Sequence, residues 1–329
     1  MNESVQNPPI LITGAAGFIG FHLARALLAS GACVVGFDNM NDYYDVSLKV
    51  ARLKLLAEYE HFDFIKGDLA DKAAVFALFD DYRPAVVVHL AAQAGVRYSI
   101  DHPDAYISAN ISGFFHILEA CRHHPVAHLL YASSSSVYGG NEKLPFSTSD
   151  MVDCPISLYA ATKKSNELMA YAYSHLYDIA ATGLRFFTVY GPYGRPDMAC
   201  FKFADLIMRD EPIQIYGDGD MYRDFTYIDD IVGGIVRMLD SPPPPDGRGT
   251  RHKVYNIGNN HPEHLLRFIE LLEKYLGKEA RKEYLPMQPG DVRKTYADID
   301  DLAADFDFRP VTAIEEGLAR FVEWYKGYY

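Results

Sequence analysis

Short apolar runs alternate with amphipathic stretches along the first 186 residues, and this alternation restricts the possible folds more than any other feature of the chain. The runs are 10–13, 33–37, 62–65, 85–90, 127–132 and 180–186. Each is rich in aliphatic or aromatic residues and closes on a turn signal, as buried strands do. The stretches between them, 18–30, 46–59, 72–82, 105–123 and 158–177, read as helices. Strand and helix taken in turn predict a parallel sheet with helices on both faces. Right-handed crossovers make it an α/β doubly wound parallel sheet of Rossmann-like type. After Phe187 the pattern loosens into short strands and helices, such as 201–209, 230–239, 262–276 and 313–325. Two domains are expected: 1–186, and a smaller C-terminal α/β lobe over 187–329, with a segment near 224–240 returning to the first. The run Ser241-Pro242-Pro243-Pro244-Pro245-Asp246-Gly247 reads as a stiff linker or surface loop.

Composition narrows the partners. The chain is 49% hydrophobic and 23% charged, enough for a sizeable core. A net charge of −13 with no basic run argues against nucleic acid or an anionic membrane surface. Any anionic ligand must therefore be met by arginines gathered locally. The four cysteines, Cys33, Cys121, Cys154 and Cys200, are scattered without metal-ligand spacing, so no metal is expected and the thiols are read as reduced and mostly buried. Residues 1–9 lack the features of a signal peptide, and no apolar run nears the roughly 20 residues needed to cross a bilayer. A cytoplasmic protein is expected.

Gly14, Gly17 and Gly20 follow the first apolar run and open a helix, with Ala16, Phe18 and Ile19 between them. Strand, glycines and helix in that order suit a dinucleotide: the first glycine allows the tight turn, the second lets backbone approach the pyrophosphate, and the third lets helix pack on strand. The helix N-terminus then faces the phosphates. Asp38, followed by Asn39, ends the second run, where a carboxylate accepts hydrogen bonds from a ribose 2′-hydroxyl and repels a 2′-phosphate; NAD is expected rather than NADP. Asp68 and Leu69 close the third run, Asp68 being equally readable as an adenine contact or a helix cap. Leu90, Ala91, Ala92 and Gln93 end the fourth with mostly small residues that let a cofactor pass closely.

Tyr159 and Lys163 are four residues apart and so share one helix face. A free phenol ionises near ~10, so one that acts as a base near neutrality needs its phenolate favoured by roughly 4 kcal/mol. A lysine ammonium beside it and a positive nicotinamide ring above it can supply that preference. Ser133, Ser134, Ser135 and Ser136 follow the fifth run, where hydroxyls can donate to a substrate oxygen and relay a proton. The set points to redox chemistry at an alcohol carbon.

These residues, with the Ser-Ser-Ser-Ser-Val-Tyr-Gly segment at 133–139, resemble the extended short-chain dehydrogenase/reductase superfamily. Within it the chain is most similar to nucleotide-sugar 4-epimerases acting on UDP-glucuronic acid. Residues 38–49, Asp-Asn-Met-Asn-Asp-Tyr-Tyr-Asp-Val-Ser-Leu-Lys, and 184–198, which include Arg195-Pro196-Asp197-Met198, carry the closer likeness. The resemblance implies that Ser134 partners Tyr159 and that Arg185 and Phe186 flank the nicotinamide. It puts Thr188 at the sugar, Arg223 and Arg293 at the UDP diphosphate, Asp291 at the uridine or its ribose, and Arg97 at the substrate.

It further implies interconversion of UDP-glucuronic and UDP-galacturonic acids through a transient 4-keto sugar, with NAD regenerated each cycle, in a homodimer. Apolar positions on helices 105–123 and 158–177 suit a four-helix seam between two copies, and burial within one chain explains them equally well. A 4-keto uronate can lose CO₂; Ser135, Ser136, Thr188 and Arg195 are expected to hold its carboxylate away from that geometry. Related decarboxylases carry a glutamate at the place of Ser136, and related dehydratases an Asp-Glu pair at Ser135 and Ser136. A 4-epimerase of UDP-glucose or UDP-N-acetylglucosamine, a UDP-sugar lyase and a non-catalytic NAD-binding sensor are the alternatives.

Overall fold

The computed structural model describes residues 8–287 and 293–329 and divides into two compact units. The first comprises 1–139, 152–185 and 235–255; the second comprises 140–151, 186–234 and 256–329.

In the first unit β1 (Ile10–Thr13), α1 (Phe18–Ala29), β2 (Val34–Asp38), α2 (Val46–Leu56), β3 (Phe62–Lys66), α3 (Lys72–Tyr82) and β4 (Val86–His89) follow the predicted alternation. Two short helices come next, α4 (Tyr98–Asp101) and α5 (Pro103–Tyr106), then a π-helical turn over Ile107–Ser112 and α6 (Gly113–His123). β5 (His128–Ser134), a 3-10 turn over Ser135–Tyr138, α7 (Leu158–Tyr177) and β6 (Ala181–Phe186) complete the series. The sheet runs β6-β5-β4-β1-β2-β3, with a seventh strand, His252–Ile257, outside β6. Pairing is parallel from β1 to β2 and β4, from β2 to β3, and from β4 to β5. The doubly wound expectation holds. The strand order turns back between β1 and β4, and ligands lie beyond the carboxyl ends of strands at such a switch point.

The core explains why the strands are legible. Leu11, Val35, Val87 and Leu129 are buried on one sheet layer with Phe114, Ile117 and Leu118 of α6 packed against them. Each such side chain contributes about 1.5–3 kcal/mol relative to exposure. α3 starts at the N-cap Asp71, whose carboxylate accepts from Ala73 and Ala74 N–H at 2.9 and 3.2 Å. α7 starts at Ser157, which accepts from Ala160 N–H at 3.1 Å.

α7 buries Thr162, Lys163, Asn166 and Glu167 on its inward face. Buried polar groups cost stability unless each is hydrogen-bonded, so a helix that turns this face inward serves more than packing. The helix predicted over 105–123 is broken by the π-turn. The turn offsets the ladder at Asn110, whose carbonyl accepts from Asn166 Nδ2 at 2.7 Å.

The second unit holds β7 (Thr188–Tyr190), α8 (Ala199–Met208), β8 (Ile213–Tyr216) and β9 (Tyr222–Tyr227). α9 (Ile228–Met238) and β10 (His252–Ile257, the seventh strand above) lead from there into β11 (Pro262–His264) and α10 (Leu265–Leu276). β12 (Lys282–Leu285), β13 (Lys294–Thr295), α11 (Asp300–Phe306) and α12 (Ile314–Tyr328) finish the chain. The stretch 262–276 begins as β11, paired antiparallel to β9 at its edge, where a proline removes no interior donor, and continues as α10. Asp224 in β9 is fully buried and gathers the unit: its carboxylate accepts from the backbone N–H of Asn259, Asn260 and Ala297 at 2.6, 3.1 and 2.8 Å. Burial pushes its pKa up to about 6 against those donors. Among the described residues no helix is long and apolar enough to cross a membrane. The four cysteines carry free thiols, two buried, one half-buried and one exposed.

Candidate functional site

The turn after β1 is built from backbone. Gly14 takes φ +74, and a Cβ there would stand 2.7 Å from Ala91 N. A Cβ on Gly17 or Gly20 would stand 2.9 or 2.1 Å from Gly14 O. No side chain fits, so the strand end, turn and first turn of α1 pack directly. Gly17 caps α1 without a side-chain hydrogen bond, which leaves the helix N-terminus suited to an anion. Ala16 N–H donates to Asp38 Oδ2 at 3.2 Å and Met40 N–H to Asp38 Oδ1 at 2.8 Å, tying the carboxylate at the end of β2 to the glycine turn. Asn39 Nδ2 donates to Asp68 Oδ2 at 2.9 Å, and the other Asp68 oxygen accepts from Ala70 N–H at 2.8 Å. Leu69 is buried, and its carbonyl contacts His116 Nδ1 at 2.7 Å.

Two buried cations in this region escaped the sequence reading. Lys49 stands 3.9 Å from Asp38 and donates to the Asn41 carbonyl and side chain at 2.9 and 2.8 Å. Arg52, fully buried, donates to Ala16 O and Tyr44 Oη at 2.7 Å each. Both lie on α2, and their three-residue spacing was the available signal.

Beyond β4, Ala91 N–H donates to Thr13 Oγ1 at 3.2 Å, and Thr13 Oγ1 contacts His89 Nδ1 at 2.8 Å. Burial first, then the nearby Lys163 ammonium, lower the His89 pKa to about 3, so this imidazole is neutral. Gln93 is gripped at both backbone groups by Asn110: its N–H donates to Asn110 Oδ1 at 2.8 Å and its carbonyl accepts from Asn110 Nδ2 at 3.0 Å. Asn110 Nδ2 also reaches Thr162 Oγ1 at 3.0 Å, and Thr162 Oγ1 donates to Tyr159 O at 2.8 Å. Asn110 thus links the β4 loop to the first turns of α7. Nothing in the sequence spacing marks it, because the link depends on the π-turn.

Tyr159 is half-buried, its ring 6.0 Å from that of Tyr106 at 75°. Lys163 is 2% exposed and donates to Ala132 O at 2.9 Å, so its ammonium is held at the end of β5. Burial lowers its pKa to about 8. Ser133 Oγ donates to Glu167 Oε1 at 2.7 Å. Ser134 Oγ accepts from Ser136 N–H at 3.1 Å and donates to Ser136 Oγ at 3.1 Å; Ser135 and Ser136 are half-buried.

Behind this row Arg185 makes a two-point hold on Glu167, Nε to Oε1 and NH2 to Oε2 at 2.8 Å each, and donates to Tyr138 Oη at 3.0 Å. Burial works to raise the Glu167 carboxyl, but the Arg185 fork and the Ser133 hydroxyl outweigh it and keep the group below its ordinary range. Arg185, which the resemblance sets beside the nicotinamide, has its guanidinium engaged with Glu167 and Tyr138, and Phe186 is buried next to it in β6. Glu167 is a further residue the sequence reading missed. Arg97 is exposed just ahead of α4.

Thr188 opens β7 and pairs with Phe225 of β9. Arg223 and Arg293 come together: Arg223 donates to Tyr222 O at 3.0 Å and Arg293 O at 3.2 Å, and Arg293 lies 3.7 Å from Asp220. Arg195 Nε donates to Asp197 Oδ1 at 3.0 Å within one turn. Asp291 lies outside the described residues.

The NAD dependent epimerase/dehydratase family model matches residues 10–258. Protein CapI of Staphylococcus aureus is 56% identical over 97% of this chain and 99% of its own length. A probable UDP-glucuronate 4-epimerase of Rhizobium meliloti is 50% identical over 96% of each chain. The crystal structure of UDP-glucuronic acid 4-epimerase from Bacillus cereus, in complex with UDP-glucuronic acid and NAD, superposes with a TM-score of 0.89 at 36% identity, covering 98% of this chain and all of that one. With the glycine turn, the Tyr159–Lys163 pair and these matches in hand, the chain belongs to the NAD dependent epimerase/dehydratase family.

Proposed function

We propose that this protein is an isomerase that interconverts UDP-glucuronic acid and UDP-galacturonic acid by inverting C4, with NAD as its resident cofactor. The observation that carries the reading is the likeness across nearly the whole chain to UDP-glucuronate 4-epimerases, one of them solved with that substrate and NAD. The residues fit the cofactor: the Cβ-free turn at Gly14, Gly17 and Gly20 admits a pyrophosphate on the α1 N-terminus, and the Asp38 carboxylate suits a ribose diol. Leu69, Leu90, Ala91 and Ala92 supply small or apolar surface, with the Gln93 amide beside them. The chemistry the dinucleotide supplies when bound is reversible uptake of hydride from C4 of the sugar.

The chain's own residues handle the proton and the orientation. Tyr159 Oη takes the proton from the C4 hydroxyl and later returns it to the same oxygen, once the sugar has presented its other face. The Lys163 ammonium favours the phenolate, and the Ser134 hydroxyl donates to the same sugar oxygen. Inversion requires the hexose to turn between the two transfers, so the UDP must be gripped while the sugar is held loosely. Arg223 and Arg293 grip the diphosphate, with Asp291 at the uridine, Thr188 at the sugar and Arg97 as an outer contact. Ser135, Ser136 and Arg195 hold the carboxylate of the keto sugar away from the geometry that releases CO₂.

Purified protein incubated with UDP-glucuronic acid, without added NAD, is expected to yield UDP-galacturonic acid and no pentose. Release of a UDP-pentose, or no turnover of the uronate alongside turnover of UDP-glucose, rejects the reading.

The protein is further read as a cytoplasmic homodimer. Free thiols suit a reducing compartment. Phe115 of α6 and Leu168 and Leu176 of α7 stand exposed, as does Ile107 of the π-turn, and a four-helix seam between two copies would cover them. Sedimentation at micromolar concentration is expected to give two chains per particle; a single chain rejects the dimer.

A further inference from the structure

The segment that carries Arg195 contains a backbone anomaly. Gly191-Pro192-Tyr193-Gly194 closes as a four-residue turn, Gly194 N–H donating to Gly191 O at 3.1 Å. Proline occupies the second position, as such turns prefer, but the third position needs positive φ and favours glycine. Here it is Tyr193, at φ 56. A bulky residue in the left-handed region is strained, and such strain persists where the surroundings overdetermine it.

Those surroundings are the end of α12. The Tyr193 ring lies 4.9 Å from Trp324 and 5.8 Å from Tyr328 between ring centroids, the second contact edge-on. Trp324 in turn packs on Phe201 at 6.0 Å and Phe321 at 5.8 Å, rooting the cage in the core of the second unit. These two aromatic contacts offset the strain. A second turn follows at once, with Met198 N–H donating to Arg195 O at 3.1 Å and Asp197 fixing the guanidinium fork. From Gly191 to Met198 two successive turns and the caged Tyr193 ring leave the backbone little freedom.

We propose that Tyr193, caged by Trp324 and Tyr328, is the positioning residue for Arg195, and that the C-terminal helix thereby sets how strongly this protein prefers an anionic sugar to a neutral one. The proposal rests on the reading of Arg195 as a partner of the substrate carboxylate. The cage itself touches no reacting atom. Its effect is therefore on discrimination between charged and neutral ligands rather than on proton transfer.

Tyr193→Gly removes the ring and relieves the φ strain, so it tests positioning without adding a backbone clash. The KM for UDP-glucuronic acid is expected to rise on the order of tenfold, the loss of one well-aimed charge-assisted hydrogen bond, with kcat little changed. The inhibition constant of UDP-glucose, which lacks the carboxylate, is expected to stay near the parent value. Tyr328→Ala, at the helix end, should shift the same ratio in the same direction by less. Trp324 is the single tryptophan of the chain, so its emission reports on the cage. UDP-glucuronic acid should shift that emission in the parent and not in Tyr193→Gly. If the two ligands weaken equally in Tyr193→Gly, or neither weakens, the cage does not position Arg195. Arg195→Met separates the two levels: if it abolishes the uronate preference while Tyr193→Gly keeps it, the cage proposal fails alone. If Arg195→Met leaves the uronate KM unchanged, the underlying role of Arg195 fails as well.

Discussion

Tyr159→Phe is expected to lower turnover of UDP-glucuronic acid by roughly 10²–10⁴, the usual worth of a positioned general acid–base group. The change removes one oxygen and keeps the ring, so the edge contact with Tyr106 survives. Lys163 keeps its bond to Ala132 O, Asn110 its bonds to Gln93, and the glycine turn its tie to Asp38. Bound NAD should therefore be retained, measurable as nucleotide released on denaturing the purified variant. The substrate KM should move little, because the lost interaction is made with a proton in flight rather than with the resting sugar. A variant that turns over within a few-fold of the parent would remove Tyr159 from the role of base and point to a relay through Ser134 and Ser136.

Lys163→Met is expected to abolish activity to a similar degree and, at neutral pH, to leave the unliganded fold as stable as the parent or more so. Two terms compete. Burial drops the Lys163 pKa from 10.5 to about 8. At 1.36 kcal/mol for each tenfold change in proton affinity, keeping this buried group charged costs about 3 kcal/mol. Removing the ammonium orphans the Ala132 carbonyl, a loss of about 1–3 kcal/mol. The net is a gain of about 1 kcal/mol for the methionine protein.

The folded chain binds this proton less tightly than the unfolded chain does. The cost is thus complete below pH 8 and fades as pH rises from about 8 toward 10.5. Urea melts of both proteins at pH 7 and pH 10 should show the advantage of the variant at the lower pH and its shrinkage at the higher one. A variant clearly less stable than the parent at pH 7 would mean that the ammonium is a net structural asset in the unliganded protein.

What the sequence made legible follows from how each feature is encoded. Strands buried on both faces appear as short apolar runs, so β1, β2, β4 and β5 could be found without any partner. The glycine turn and the Tyr159–Lys163 pair are local, each contained within a few residues of chain. The seventh strand, His252–Ile257, is half-buried at its start and follows a proline-rich loop, so no apolar run announces it.

The remaining site features depend on distant residues. Asn110 acts through a π-turn whose register is set by Asn166. Nothing near Arg185 in the chain announces that Glu167, on another element, holds its guanidinium at two points. Tyr193 carries no sign in its own neighbourhood that it would adopt a glycine conformation, since the rings that hold it there lie more than a hundred residues further on.

Any β-carbon added at Gly14, Gly17 or Gly20 would run into main chain, and main chain cannot step aside as a side chain can. Point substitution therefore has almost no room to remodel the turn read here as the seat of the nucleotide. On the proposed reading, efforts to redirect this scaffold toward another sugar turn instead to side chains such as Ser135, Ser136, Thr188 and Arg195, where volume and charge can be exchanged.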